Sequence, residues 1–187
     1  MEAKERNTQI DIEVLSSKMA AEDNRNIKMM KRFNILYWVL IPVYFLFFVV
    51  NPDKDIEWQN RITGLCYIFA FFSFYLIFRH YIKEYSNVDY SLPTTEMLRK
   101  AIARYKLFQL KTVFVLIPLL LVDVGVSVSG FRFVNTADQL MRIVYIQAIF
   151  WPMILVSFLV GVLIWRRRQK PLRDRAIQLL DELTREE

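Results

Sequence analysis

The chain has 187 residues, of which 55% are apolar and 24% are charged, and its formal net charge is +6. This apolar share is high for a soluble domain while the charged share is ordinary, so the two kinds of residue must be segregated along the chain. Four separated apolar stretches hold a single ionisable residue, Asp123, and leave no contiguous segment of usual domain size. The composition therefore excludes an ordinary soluble globular protein and predicts a membrane protein.

Each apolar stretch is long enough to cross a bilayer as a helix. At about 1.5 Å per residue the stretches reach roughly 26 to 35 Å, compared with about 30 Å for the hydrocarbon core of a bilayer. We predict an all-α polytopic membrane protein whose four transmembrane helices form two antiparallel hairpins. The predicted spans are residues 33–50, 62–80, 112–131 and 143–165, within a transmembrane domain of residues 33–166.

The distribution of positive charge predicts how the chain is threaded. Lys and Arg number 7 in residues 1–32, 7 in 79–111 and 7 in 166–187, but only 2 in 51–61 and 2 in 132–142. Basic residues in short loops stay on the cytoplasmic side. The N-terminal segment 1–32, the loop 79–111 and the C-terminal segment 167–187 are therefore predicted to be cytoplasmic, in a multi-pass protein of the cell inner membrane.

Several basic residues lie at the ends of the predicted spans. The run that follows Trp165 would suggest nucleic-acid binding in a soluble protein, but its position at the end of an apolar stretch favours contact with lipid headgroups. We therefore predict membrane lipids, and no nucleic acid, as partners of these side chains. The predicted headgroup anchors are Lys31, Arg32, Arg79, Lys111, Arg166, Arg167 and Arg168.

The sequence carries no recognisable catalytic, metal-binding or cofactor-binding motif. Cys66 is the single cysteine and His80 the single histidine, so neither a disulfide nor a cysteine–histidine metal site is expected within the chain. Fingerprints of serine hydrolases, zinc proteases and nucleotide-binding loops are missing too. We predict a protein that is not an enzyme and that holds neither a cofactor nor a metal.

Three segments outside the predicted spans have the apolar spacing of amphipathic helices. The second is expected to begin near Pro93 and to run into the third span through Lys111, and the third to begin at Pro171. The N- and C-terminal helices should pack on one another, on the central loop, or on a cytosolic protein. Their apolar positions are Ile12, Leu15, Met19 and Ala20; Leu98, Ile102, Tyr105 and Phe108; and Leu172, Ile177, Leu180 and Leu183.

Asp123 is the candidate functional residue within the membrane. A charge at mid-membrane costs about 2.5–3.5 kcal/mol on insertion scales, so an intramembrane acid is a candidate for proton or cation handling. Alternatively, if the helix ends near Val124–Gly125, the carboxylate lies in the outer headgroup zone and pairs with Arg132 or Arg142.

The two predicted hairpins resemble each other in sequence. Val39–Leu40–Ile41–Pro42 in the first span recurs as Val115–Leu116–Ile117–Pro118 in the third. Either the hairpin is duplicated or two apolar segments match by chance. Pro42, Pro118 and Pro152 are each expected to kink a helix, as they commonly do in membrane proteins.

One segment of the central loop resembles a known group of proteins. Tyr85–Ser86–Asn87–Val88–Asp89–Tyr90–Ser91–Leu92–Pro93–Thr94–Thr95–Glu96–Met97–Leu98, followed by Arg104–Tyr105, looks like a segment of uncharacterised bacterial four-span inner-membrane proteins. Some members of that group accompany extracytoplasmic-function sigma factors, so the resemblance implies a sigma-factor-like partner. The zinc-binding HxxxCxxC motif and the large outer sensor domain of well-described anti-sigma factors are both missing.

The sequence leaves three functions open. The first is a non-enzymatic inner-membrane protein that tethers or regulates a cytosolic partner through its cytosolic helices, or assembles with copies of itself. The alternative is a small transporter or channel subunit that uses Asp123. The third, an enzyme acting on lipid headgroups, lacks the expected acid, base or metal cluster.

Overall fold

The fold is described from a computed structural model that places residues 2–52, 57–90, 92–130 and 136–186. These residues form helices with short connections and contain no strand, which confirms the all-α prediction for the described part of the chain. In chain order the elements are α1 (Glu2–Tyr44), a π-helical segment (Phe45–Val50), α2 (Trp58–Ser86), α3 (Thr94–Arg104), α4 (Leu110–Val113), α5 (Leu116–Gly130) and α6 (Thr136–Glu186).

Three helical stretches are long and apolar enough to cross a membrane, judged by length and composition. They are Gln9–Val50, Trp58–Ser86 and Met141–Arg185, and they contain three of the four predicted spans. The remaining prediction, residues 112–131, corresponds to the shorter helix α5 of 15 residues. At about 1.5 Å per residue α5 extends only about 22 Å.

The predicted cytoplasmic segment, from residue 2 onward, and the first part of the first span belong to one helix, α1, which ends at Tyr44. Pro42 lies inside α1 and lacks the N–H that would bond to the carbonyl of Trp38. The helix widens into π-helical turns three residues later, at Phe45. A proline in this position is a common cause of local rewinding in a long helix.

Arg61 of α2 closes the end of the π-helical segment. Its guanidinium donates from Nη1 to the carbonyl of Val49 at 2.9 Å and from Nη2 to the carbonyl of Asn51 at 3.2 Å. These are carbonyls that a helix end leaves without partners, and a planar cation satisfies two of them together. The guanidinium thereby links α2 to the last residues of the π-helical segment.

Aromatic side chains pack α1 against α2. The ring of Tyr37 stacks on those of Phe71, Phe74 and Phe78, with centroids 5.1 to 5.9 Å apart. Phe33 stacks on Phe78 as well, at 5.8 Å. Each stacked aromatic pair stabilises the packing by about 0.5–1.5 kcal/mol beyond the contribution of its buried area. The aromatic face of α2 is therefore packed against α1.

Helix α3 begins where the sequence predicts but ends sooner. It starts at Thr94, directly after Pro93, and ends at Arg104. The N–H of Tyr105 still bonds to the carbonyl of Ala101 at 3.0 Å, after which the backbone leaves the helix. The expected continuation through Lys111 into the third span is therefore not observed.

The predicted third span is interrupted between α4 and α5. Pro118 has no N–H to give to the carbonyl of Phe114, and its ring crowds that carbonyl in a regular helix. The Phe114 carbonyl instead accepts from the N–H of Ile117 at 3.2 Å, and the Thr112 carbonyl from the N–H of Val115 at 3.1 Å. These three-residue bonds tighten the chain and separate the two helices.

The repeated tetrapeptide does not have the same structure in its two positions. Val39–Pro42 lies within the last two turns of α1, whereas Val115–Pro118 straddles the start of α5. The third proline expected to kink a span, Pro152, lies inside α6. Helix α6 also runs through Pro171, so the C-terminal segment 167–187 continues the last span without a separate helix start.

The chain divides into two compact units. The first, called here the three-segment unit, consists of Met1–Met29, Ile82–Gln109 and Leu159–Glu187. The second, called here the apolar unit, consists of Met30–Tyr81 and Leu110–Phe158. Each unit is described by itself below.

The three-segment unit closes a hydrophobic core. Each of its segments contributes buried side chains, and burial of one large apolar side chain favours folding by about 1.5–3 kcal/mol. Of the alternatives left open by the sequence, the structure has the one in which the terminal segments and the central loop pack on one another. The core residues are Leu15, Met19, Met97, Leu98, Ala101, Tyr105, Ala176 and Leu179.

Candidate functional site

Asp123, the candidate intramembrane acid, lies in the middle of α5 and is half-buried. Its Oδ1 accepts a hydrogen bond from Nε2 of Gln147 in α6, at 2.6 Å. The same amide nitrogen donates to Oγ of Ser127 at 2.9 Å. Gln147, which sequence reasoning did not single out, therefore joins two polar groups of α5 that lie one turn apart.

The ion-pair partners predicted for Asp123 from the sequence are Arg132 and Arg142. Arg132 lies outside the described residues, so its pairing with Asp123 stays a prediction. Arg142 belongs to α6 and is exposed. The carboxylate of Asp123 accepts a hydrogen bond from a neutral amide, that of Gln147. Such interhelical bonds in apolar surroundings are worth about 0.6–2 kcal/mol each.

A second polar contact holds α5 close to α2, two residues from Asp123. Thr63 Oγ1 donates to the carbonyl of Gly125 at 3.2 Å, and Thr63 is buried. A Cβ atom on Gly125 would lie 3.0 Å from the Tyr67 ring and 3.2 Å from Cβ of Cys66. The missing side chain of Gly125 therefore permits the close approach that this bond needs.

A buried charged cluster lies in the three-segment unit. The carboxylate of Asp23 accepts hydrogen bonds from the hydroxyls of Tyr90 at 2.5 Å and Tyr105 at 2.7 Å. Nη2 of Arg104 lies 3.1 Å from Oδ2 of Asp23, and the two side chains are only 8% and 4% exposed. Asp23 is thus matched by one cation and two neutral donors, as a buried carboxylate requires.

The two tyrosines of this cluster are held in their neutral form. Burial raises the pKa of Tyr90 well above its usual range, and its hydrogen bond to Asp23 adds to the effect. Burial likewise raises the pKa of Tyr105, and the negative charge of Asp23 raises it further. The nearby Arg104 guanidinium opposes both shifts without cancelling them. Both hydroxyls therefore remain donors across the physiological pH range.

The C-terminal end of α3 is closed by two side chains. Gln109 Nε2 donates to the carbonyl of Arg104 at 2.7 Å, and to those of Ala103 and Lys106. The indole N–H of Trp165 in α6 donates to the carbonyl of Tyr105 at 2.9 Å. The carbonyls that a helix leaves unpaired are satisfied in this way.

The predicted headgroup anchors are exposed wherever their side chains are described. Lys31 and Arg32 lie in α1, Arg79 in α2, and Arg166, Arg167 and Arg168 in α6. All six are open to contact with headgroups, and the side chain of Lys111 lies outside the described residues. Among the described residues, no group of three or more His, Cys, Asp or Glu side chains is arranged to hold a metal ion.

Sequence reasoning missed several residues of the three-segment unit, among them Met97, Ala101, Asp23, Ala176 and Leu179. Asp23 follows Leu15 and Met19 at intervals of four, so the apolar stripe of α1 points directly at it, and that spacing was the available signal. Ala176 and Leu179 were missed because the predicted stripe ran through Ile177 instead. The spacing of four and three from Leu172 through Leu183 contains both core positions.

Comparison of the chain with family models, with curated proteins and with solved structures found no match. The resemblance to bacterial four-span membrane proteins therefore stays a prediction. Three residues that carry this resemblance, Tyr90, Arg104 and Tyr105, belong to the buried cluster around Asp23.

Proposed function

We propose that this chain is a non-enzymatic integral membrane protein of the bacterial inner membrane that holds a folded unit at the cytoplasmic surface, where the unit binds a cytosolic protein. The observation that carries the proposal is the closed core of the three-segment unit, with its buried Asp23–Arg104 pair. A unit with its own core offers a preorganised surface, which lowers the entropic cost of binding compared with flexible tails.

The core also supports four crossings. One hydrophobic core contains Leu15, Leu98 and Leu179, although long apolar stretches separate these residues along the chain. Segments that pack together lie on one side of a bilayer, so the chain between each pair crosses an even number of times. Since α1 and α6 both contain apolar stretches of spanning length, we infer that α2 and α5 cross as well.

The short helix α5 is compatible with such a crossing. Its 15 residues fall about 8 Å short of a hydrocarbon core of about 30 Å. Local thinning of the bilayer accommodates a short span at a cost of fractions of a kcal/mol per Å, and interaction with neighbouring helices compensates further. The bonds of α5 to Thr63 and Gln147 are interactions of this kind.

The surface that we assign to the cytosolic partner is the outer face of α1. Leu15 and Met19 of α1 lie in the core, whereas Ile10 and Val14 are 51% and 45% exposed. Ile10, Val14 and Ala21 follow one another at intervals of four and seven, so they lie on one helical face. Helices with such an exposed apolar stripe are recognised by grooves of partner proteins.

The test is affinity purification from gently solubilised membranes. We expect a cytosolic protein to be recovered in stoichiometric amount with the native chain and lost with the double variant Ile10→Asp, Val14→Asp. The matched control is Glu96→Ala, which removes an exposed ion pair with Lys100 on α3. A sigma factor is the partner class that the resemblance implies. Recovery of only further copies of the chain, or equal recovery with all variants, would contradict the proposal.

A second function, a transporter or channel subunit, is favoured by one specific observation. Asp123 is held by Gln147 from another helix, and intramembrane acids in such positions mark ion or proton pathways. Proteoliposomes should then show proton or cation flux that Asp123→Asn abolishes. Ser127→Ala is the control, because it removes one acceptor of Gln147 and keeps the carboxylate. Equal flux in Asp123→Asn and the native chain would reject this function.

A further inference from the structure

A cleft of about 380 Å³ lies between α2 and the start of α5 in the apolar unit. One wall is a stripe of α2 that runs from Ser73 through Leu76 and Ile77 to His80 and Tyr81. The other wall is formed by Phe114 and Ile117. The volume falls within the range of about 300–1,000 Å³ that is typical of small-molecule sites.

The cleft exists because the helix facing α2 is interrupted. Residues 73, 76, 77 and 80 lie on one face of α2, and the opposite face is filled by the aromatic contacts of α1. A continuous helix over residues 112–131 would extend along the free face, but the chain breaks between Val113 and Leu116. Phe114, at the break, borders the space that is left.

The polarity of the cleft changes along its length. Leu76, Ile77 and Ile117 make its middle apolar, and the Ser73 hydroxyl is already used as a donor to the carbonyl of Phe69 at 2.8 Å. His80 and Tyr81 bring polar groups to one end, and the exposed Arg79 adjoins them. From Ser73 to His80 the helix rises about 10 Å, so the polar and apolar ends are well separated.

We propose that this cleft binds a phospholipid of the surrounding membrane, with one acyl chain along Leu76 and Ile77 and an anionic headgroup at His80. Two observations favour this occupant. One wall of the cleft belongs to α2, a helix long and apolar enough to cross a membrane. Hydrocarbon chains of lipids would therefore surround the cleft. Its polar end coincides with the basic end of the apolar stretch of α2, where anionic headgroups are attracted.

The experiment measures lipid bound to the detergent-purified full-length protein by native mass spectrometry, with phosphatidylglycerol and phosphatidylcholine as probes. Ile117→Trp fills the cleft and should raise the apparent dissociation constant for phosphatidylglycerol about tenfold or more, which corresponds to about 1.4 kcal/mol. The matched control is Leu120→Trp on the same helix, because Ile117 and Leu120 are both 52% exposed and only Ile117 lines the cleft.

A second variant fills the cleft from the other wall. Ser73→Phe should weaken binding as Ile117→Trp does, so the test does not depend on the folding of one variant. His80→Ala should reduce the preference for phosphatidylglycerol over phosphatidylcholine and leave the binding of phosphatidylcholine unchanged. These effects are independent of any cytosolic partner.

The outcomes decide the proposal directly. The proposal is supported if the native protein and Leu120→Trp each retain one bound phosphatidylglycerol and both filling variants lose it. It is overturned if the native protein retains no lipid, if the filling variants bind as the native protein does, or if Leu120→Trp loses binding equally. Equal binding of phosphatidylcholine and phosphatidylglycerol by the native protein overturns the assignment of an anionic headgroup.

Discussion

The three-segment unit and the apolar unit place opposite kinds of side chain on their surfaces. In the three-segment unit Leu98 and Tyr105 are fully buried, and outside the apolar stretch Leu159–Ile164 the exposed positions are largely polar. In the apolar unit Trp38 and Phe69 are about three-fifths exposed, whereas the polar Thr63 is buried. The first arrangement is stabilised by water, which drives apolar groups inward. The second is stable only where the surroundings are themselves apolar.

Different forces stabilise the two units. A hydrophobic core and a buried ion pair stabilise the three-segment unit. Aromatic stacking, close helix contact at glycine and a few hydrogen bonds between helices stabilise the apolar unit. Changes in the two units should therefore have different sizes and different physical causes.

The largest effect is expected from Asp23→Ala in the three-segment unit. The change leaves the Arg104 guanidinium buried without its carboxylate, and loss of one partner of a buried ion pair costs about 3–5 kcal/mol. Hydrogen exchange of the α3 amides in detergent should show this loss. The control, Glu96→Ala, breaks an exposed pair with Lys100 and should cost less than about 0.5 kcal/mol. Equal effects of the two changes would mean that the Asp23 cluster does not hold the unit.

The next effect in size is expected from Leu98→Ala in the same core. Leu98 is fully buried, and removal of a buried leucine side chain costs about 2–5 kcal/mol. Faster exchange should spread to α1 and the end of α6, because both contribute core residues. Ile10→Ala at an exposed site should change little. Faster exchange confined to α3 would show that the segments do not share one core.

A sharper contrast is expected between two glycines, Gly64 of the apolar unit and Gly161 of the three-segment unit. A Cβ atom on Gly64 would overlap Cβ of Phe48, whereas one on Gly161 would meet nothing within 4 Å. Gly64→Ala should therefore destabilise the packing of α2 by about 1–3 kcal/mol, as overpacking does. Gly161→Ala should leave the thermal stability in detergent unchanged or raise it slightly. A smaller effect at Gly64 than at Gly161 would contradict the close contact with Phe48.

The smallest effect concerns high pH. Unfolded tyrosines lose their protons near a pKa of about 10, but burial and the nearby Asp23 keep Tyr90 and Tyr105 protonated in the folded unit. Since the unfolded chain then binds fewer protons, the stability of the three-segment unit should fall as the pH rises above about 10. Tyr105→Phe should make this fall shallower. An unchanged slope would show that Tyr105 ionises normally in the folded state.

Sequence reasoning predicted the features that follow from local composition. The helical class, three of the spanning stretches and the start of α3 at Thr94 all follow from apolar runs and a proline. It did not predict the break before α5, because Pro42 and Pro118 follow the same three residues and only Pro118 lies beside a break between two helices. Whether a proline breaks a helix depends on what packs around it.

The contacts of the candidate sites were harder to predict. Asp123 stands out in the sequence because it interrupts an apolar run, but its donor Gln147 is 24 residues away and polar residues of that kind are common. Asp23 and Arg104 are separated by 81 positions, and only the spacing of four from Leu15 and Met19 indicated that Asp23 is buried. Long-range pairing of this kind leaves little trace in one sequence.

In the proposed topology, the three segments of the core lie on the same side of a membrane. With Cys66 replaced by serine, single cysteines at Ile10, Lys100 and Gln178, all exposed, report on α1, α3 and α6. A membrane-impermeant maleimide should label all three from the cytoplasmic side of oriented vesicles, and cysteines at Asp53 and Asp138 only from the opposite side. Labelling of any one of the three from the opposite side to the other two would contradict the shared core and the four crossings.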